Sequence, residues 1–206
     1  MDVLLIDDHP VTNRGIASWL EQKDDFRMAQ QVNTLGEARR FIEDATEATG
    51  RLPSLIVLYI QLGMENGLDF IPFLQDHCFA KGVTAPPVLV CSAHDDPFRM
   101  EAAIKMGAAG YLTKGGNARE MQDAVETVMR GEVYVPAEHA AALKEISGRY
   151  GQLSAREFEI AAMVRQGKTS RQIAAALDLS TRTVETHLGN IYNKTGIGKR
   201  SQLQDL

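Results

Sequence analysis

The sequence predicts an α/β fold, a doubly wound five-stranded parallel sheet, followed by a small all-α domain containing a helix-turn-helix. Three observations predict it. From residue 2 to about 131 short apolar runs alternate with longer amphipathic stretches, whereas beyond about 150 the hydrophobic period is helical throughout. Charge divides the same way: residues 1–146 carry 13 Lys+Arg against 22 Asp+Glu, and residues 147–206 carry 9 against 5, so a net charge of -5 conceals a basic tail. With 44% hydrophobic and 24% charged residues, the 206-residue chain is a globular protein, not a fibre or a disordered tail. Runs such as Leu55 to Ile60 are far below the roughly 20 apolar residues a bilayer span requires. Met1-Asp2 opens directly into a strand-like segment without a basic leader, so the expected location is the cytoplasm and no membrane partner is expected. Cys78 and Cys91, each in apolar sequence, are expected to be buried thiols in a reducing compartment; no metal site and no cofactor are expected.

In chain order, the strands are expected at Val3 to Ile6, Arg27 to Val32, Leu55 to Ile60, Pro87 to Cys91 and Gly110 to Leu112. Their continuous apolar runs suit strands covered on both faces. Helices are expected between and after them, over Thr12 to Gln22, Gly36 to Asp44, Leu68 to Gln75, Pro97 to Met106 and Ala118 to Arg130, with Gly131 as the stop. Residues 1–131 thus form the first domain. Residues 132–149, with Pro136 and an alanine-rich stretch, read as a linker that carries a partial helix. In residues 150–206, Ser154-Ala-Arg-Glu157 and Thr169-Ser-Arg-Gln172 are both capping boxes, in which the hydroxyl accepts a first-turn amide and the Glu or Gln reaches back. They start helices ending near Gln166 and Leu177. After a short Asp178-Leu179-Ser180 turn a third helix runs from Thr181 to about Lys194, ahead of Gly196.

Val184, Leu188, Ile191 and Thr195 recur at helical spacing in this third helix, so one stripe faces a core and the opposite face is open. The open face holds Thr181, Arg182, Glu185, Thr186, Gly189, Asn190, Asn193 and Lys194. Such a helix fits the major groove, where Arg, Asn and Glu address base edges and Lys a phosphate. Ser180 as N-cap leaves first-turn amides for a phosphate, and Lys168, Arg171, Lys199 and Arg200 flank the unit and neutralise others. His187, beside the apolar stripe, reads equally as a boundary core residue or a phosphate contact.

Leu153-Ser-Ala-Arg-Glu157, Gln166 to Ala174 and Thr183 to Lys194 resemble the LuxR-type helix-turn-helix of NarL/FixJ response regulators. The resemblance covers most of residues 150–203. It implies sequence-specific transcription regulation on double-stranded DNA as a homodimer on paired half-sites, with RNA polymerase as a further partner to consider, and no enzymatic activity. One departure is the short segment after Lys199, where the family's fourth helix often helps dimerisation.

Parallel α/β sheets bind ligands at the carboxyl ends of their strands. At those positions the sequence places Asp7-Asp8, Tyr59, Ser92 and Lys114. Two adjacent carboxylates repel unless a cation lies between them, and a divalent metal or the Lys114 ammonium would serve. Leu4 to Pro10, Leu89 to His94 and Gly107 to Lys114 resemble the flavodoxin-like receiver domain of two-component systems. In that family the acidic pair holds magnesium, the Ser and Lys contact a phosphoryl group, an aspartate ending the third strand accepts it, and a switch aromatic corresponds to Tyr111. Here Pro53 to Gly67 aligns with that strand and its loop, and the acceptor position is Tyr59; Leu58, Ile60 and Gln61 beside it offer no carboxylate either. A phenol is a poor phosphoacceptor and a poor magnesium ligand at neutral pH. The expectation is a receiver without aspartyl phosphorylation, with the Tyr59 hydroxyl bonded to Asp8, Ser92 or Lys114. Gly63 and Gly115, where proline is common, are lesser departures. Two alternatives stand beside this one: phosphate acceptance moved to Asp7 or Asp8, and an interaction protein with weak DNA binding, which Glu185 and Gly189 keep open.

Overall fold

The computed structural model describes residues 2–9, 27–113 and 117–205. The expected Thr12 to Gln22 helix, Lys114 and Gly115 lie outside the described residues. Two compact units emerge, residues 1–93 with 107–135 and residues 94–106 with 136–206.

In the first unit, β1 (Asp2–Ile6), β2 (Arg27–Val32), β3 (Leu55–Tyr59), β6 (Val88–Ser92) and β7 (Gly110–Thr113) form one parallel sheet in the order β2-β1-β3-β6-β7. The order reverses at β1, which places the crevice at the ends of β1, β3 and β6. Every residue of β3 and β6 is buried, as the unbroken apolar runs require. Tyr134 extends the far edge, its carbonyl accepting from the Tyr111 amide.

Between strands lie the Leu35–Thr49 helix, capped by Thr34, and the Phe70–Lys81 helix, which a single 3-10 turn, Gly67–Asp69, introduces. Ala118–Met129 follows β7 and is capped by Asn117, whose side chain accepts from the Arg119 and Glu120 amides. A small antiparallel hairpin, β4 (Gln61–Leu62) with β5 (Glu65–Asn66), was not expected. Its two-residue turn begins at Gly63 with φ 58. Glu65 ties the hairpin to the start of the Leu35–Thr49 helix by accepting from the Leu35 amide.

The second unit contains the helices Ala155–Arg165, Ser170–Ala176, Thr181–Thr195 and a short Arg200–Gln204. Both expected capping boxes are present. Phe158, Ile160, Ile173, Leu177, Val184, Leu188, Ile191 and Leu203 build its core. The turn before the third helix puts Asp178 in the left-handed region, φ 51, a conformation that Asp tolerates better than most residues.

Two features of this unit differ from the sequence boundaries. Residues 132–149 are not merely a linker with a partial helix: Ala137–Tyr150 is a 14-residue helix whose final residue, Tyr150, is buried in the core. The Pro97–Met106 helix, which lies between β6 and β7 in sequence, packs with Ala137–Tyr150 and Ala155–Arg165. Phe98 supplies the reason, its ring centroid lying 5.7 Å from that of Tyr150 and 5.6 Å from that of Phe158. Lys105 adds a hydrogen bond to the Gly151 carbonyl, and the Ser147 hydroxyl donates to Glu101.

Candidate functional site

At the end of β1, Asp7 is fully buried and Asp8 partly so. Ile6 pairs with Leu58, and Tyr59, the next residue of β3, pairs with Cys91 of β6. The acid pair and the phenol therefore end neighbouring strands, with Ser92 next on β6 and Tyr111 on β7, both buried. The sheet itself brings Asp7, Asp8, Tyr59, Ser92 and Tyr111 to one end.

His9 and Gly63 engage both acids of this end. The His9 Nδ1 lies 2.7 Å from Asp8 Oδ1 and 3.2 Å from Asp7 Oδ1, and the His9 amide donates to Asp7 at 2.9 Å. The other Asp8 oxygen accepts from the Gly63 amide at 2.7 Å. A proline at 63 has no N–H and cannot adopt φ 58, so the glycine and this bond go together. Burial pushes the Tyr59 hydroxyl far above the ordinary phenol range, and the nearby Asp7 carboxylate adds to it. Tyr59 is consequently neutral. The acid pair's partner His9 was not singled out from sequence, although it stands in the quoted Asp7-Asp8-His9 run; only geometry shows its ring between the two carboxylates.

Magnesium demands hard, mostly anionic oxygens in near-octahedral array. This end supplies two carboxylates, a neutral phenol in place of a third, and an imidazole facing both acids. The ligand atoms of Asp7, Asp8 and His9 lie within 4.8 Å of one another, while the neutral phenol adds no anionic oxygen for magnesium.

In the second unit the Thr181–Thr195 helix buries Val184, Leu188 and Ile191. Thr181, Arg182, Glu185, Thr186, Asn190 and Asn193 are exposed. Arg182, Asn190 and Asn193 make no side-chain hydrogen bond among the described residues, so their donors and acceptors face outward. Gly189 sits on this face with nothing within 4 Å of a Cβ built there. Ser180 caps the helix, accepting from the Thr183 amide at 3.0 Å. His187 is half-buried, its Nδ1 sealed off without a hydrogen bond among the described residues. Arg171 and Lys199 are exposed, and Lys168 is half-buried.

Two residues expected on the outward set are engaged inside the fold. The Lys194 ammonium lies 2.7 Å from Glu157 Oε2, and Glu157 is the buried acid of the first capping box. Arg200 donates to the Lys168 carbonyl and, at 3.2 Å, to the Ser170 hydroxyl. Spacing alone could not reveal this, because each partner is 30 or more residues away.

Residues 3–126 match the response regulator receiver domain family, and residues 151–206 match the bacterial regulatory proteins of the luxR family. The chain is 30% identical over 207 residues to the transcriptional regulatory protein LiaR of Bacillus subtilis, covering 97% of this chain and 93% of that protein. It is 32% identical to the transcriptional regulatory protein UhpA of Escherichia coli, covering 98% and 94%. Its fold is similar to that of RcsB from Salmonella enterica serovar Typhimurium, solved bound to a promoter in the presence of a phosphomimetic, with a TM-score of 0.68 at 20% identity over 100% of this chain and 96% of that one. A strand-end acid pair, five parallel strands and a capped helix-turn-helix are accounted for together, and the chain belongs to the NarL/FixJ response regulators, which join a receiver domain to a LuxR-type helix-turn-helix.

Proposed function

We propose that the protein is a sequence-specific DNA-binding transcription regulator whose receiver works without aspartyl phosphorylation. Tyr59 carries the proposal: where the family's acceptor acid stands, the strand ends in a buried, neutral phenol. Such a group neither attacks a phosphoryl donor readily nor completes a magnesium site. Transfer of the acceptor role to Asp7 or Asp8 is disfavoured, since Asp7 is fully buried and Asp8 is held by Gly63 and His9.

DNA contact falls to the outward face of Thr181–Thr195. Arg182, Glu185, Thr186, Asn190 and Asn193 address base edges, with the exposed Arg171 and Lys199 on phosphates. Lys194 and Arg200 act by holding the helices in place. The protein binds paired half-sites as a homodimer, which sedimentation with and without operator DNA tests.

The deciding experiment incubates the full chain and Tyr59→Asp with acetyl phosphate and magnesium, followed by intact-mass measurement and a gel shift over a salt series. Wild type should show no added mass, and its operator affinity should be unchanged by the treatment while falling steeply with salt. Tyr59→Asp should gain about 80 Da, the mass of one phosphoryl group. A labile adduct on the wild-type chain, lost in Asp7→Ala or Asp8→Ala, would overturn the proposal.

A further inference from the structure

We propose that the second unit contains a binding site for a small phosphate-type oxyanion, inorganic phosphate or a phosphate monoester, formed by Arg99, Arg165, Gln166 and Lys168. It is a site apart from both the strand-end crevice and the DNA-facing helix.

Arg99 lies in the first turn of the Pro97–Met106 helix and is only 6% exposed, yet its guanidinium makes no ion pair or hydrogen bond among the described residues. An isolated buried charge is costly, and proteins nearly always pair it. The end of the Ala155–Arg165 helix brings more unmatched donors. Arg165 Nη1 and Gln166 Nε2 are each buried without a hydrogen-bond partner among the described residues. Lys168 is half-buried, and its ammonium has no partner among the described residues either.

The acid nearest to hand is already committed. Asp96 Oδ1 caps the Pro97–Met106 helix by accepting from the Phe98 amide at 2.8 Å, and Asp96 Oδ2 takes Arg165 Nε at 3.1 Å. That bond, with the Arg165 guanidinium 5.0 Å above the Phe98 ring, fixes the end of one helix against the start of the other. Arg99 follows Asp96 by three residues, so the unpaired donors belong to one helix junction. Arg165 is the cation that takes up this carboxylate. Burial holds the Lys168 pKa below the ordinary lysine range, and the Arg99 charge adds to the lowering. Two guanidinium groups, an ammonium and a carboxamide N–H suit an anion with several oxygens and more than one charge. A small anion is favoured over the backbone of a duplex because Arg99 is too deep for a rod-like polymer to reach.

The test is a thermal-unfolding titration of the full chain with inorganic phosphate against sodium chloride of equal ionic strength, for wild type, Arg99→Gln and Lys168→Gln. Wild type should rise by roughly 3 °C or more when phosphate reaches tenfold its Kd. Both variants should lose that rise. Arg99→Gln should also be at least as stable as wild type without phosphate, since it removes an unmatched buried cation, and its operator affinity in phosphate-free buffer should stay within twofold. If Arg99→Gln does not fold, the response of Lys168→Gln decides. No phosphate-specific rise in wild type, or the same rise in wild type and variants, overturns the site. A fall in operator affinity for Arg99→Gln in phosphate-free buffer also overturns it and assigns these cations to the DNA backbone. The titration contains no DNA, so its failure leaves the regulator proposal standing, and the reverse holds too.

Discussion

The charges at the end of the sheet and those at the Asp96–Arg165 junction are met in different ways. At the sheet, Asp7 and Asp8 face an imidazole and a backbone amide, and the neighbouring phenol is neutral. At the junction, Arg165 is held by Asp96, whereas Arg99 Nε, Arg165 Nη1 and Gln166 Nε2 are buried without a hydrogen-bond partner among the described residues. The contrast teaches that a cluster's place in the fold does not disclose its use; the degree of internal compensation does.

Replacing compensated groups should therefore reduce stability, and replacing uncompensated ones should alter binding. The largest effect is expected for Gly63→Pro, which removes the Asp8 donor and cannot adopt the left-handed turn; it should cost about 3 kcal/mol or more in chemical denaturation. Tyr59→Asp sets a third carboxylate beside two others, and should cost roughly 2 kcal/mol without divalent cation. Millimolar magnesium should restore that loss in the variant while leaving the wild-type melting temperature unmoved, and a magnesium-responsive wild type would break the comparison.

Lys194→Ala strips the partner from a buried acid and should cost roughly 1–3 kcal/mol. Burial raises the Glu157 pKa, but the bonds from Lys194 and Ser154 outweigh it and hold the group below the usual glutamate range. Because the folded pKa is depressed, this contribution is complete at neutral pH and is lost as pH falls from the ordinary glutamate range toward the lowered value. Unfolding of Glu157→Gln between neutral and acid pH should show a correspondingly weaker dependence. The smallest effect on stability belongs to Arg182→Ala and Asn190→Ala, which should stay within about 0.5 kcal/mol of wild type. Each should nevertheless weaken operator binding by roughly 1–3 kcal/mol in a gel shift, the signature of a group kept free for a partner.

Much of this could be read along the chain. The apolar runs located all five sheet strands, and the boxes at Ser154–Glu157 and Thr169–Gln172 started their helices where local bonding requires. The strand-end position of Tyr59 was legible because the apolar run ends there and Pro53 to Gly67 aligns with the third strand and loop of receivers; Gly67 has no room for a Cβ, which would lie 2.1 Å from the Tyr59 carbonyl oxygen. The β4–β5 hairpin escaped notice because two-residue strands have no period to detect. The full length of the Ala137–Tyr150 helix was hidden by its weak amphipathic pattern, with Tyr150 alone fully buried.

The sequence by itself determined which segments are strands and helices, which faces are apolar, and that Tyr59 stands at the end of β3, since periodicity and capping act between residues a few places apart. The tertiary structure alone decided where each buried face and each long charged side chain found its partner. It packed Pro97–Met106 with the C-terminal helices, turned Lys194 to Glu157 from 37 residues away, joined Gly63 to Asp8 across 55, and left Arg99 without an acid among the described residues. A local pattern records that a side chain is apolar or charged, but the group that covers or neutralises it is set by chain closure in three dimensions.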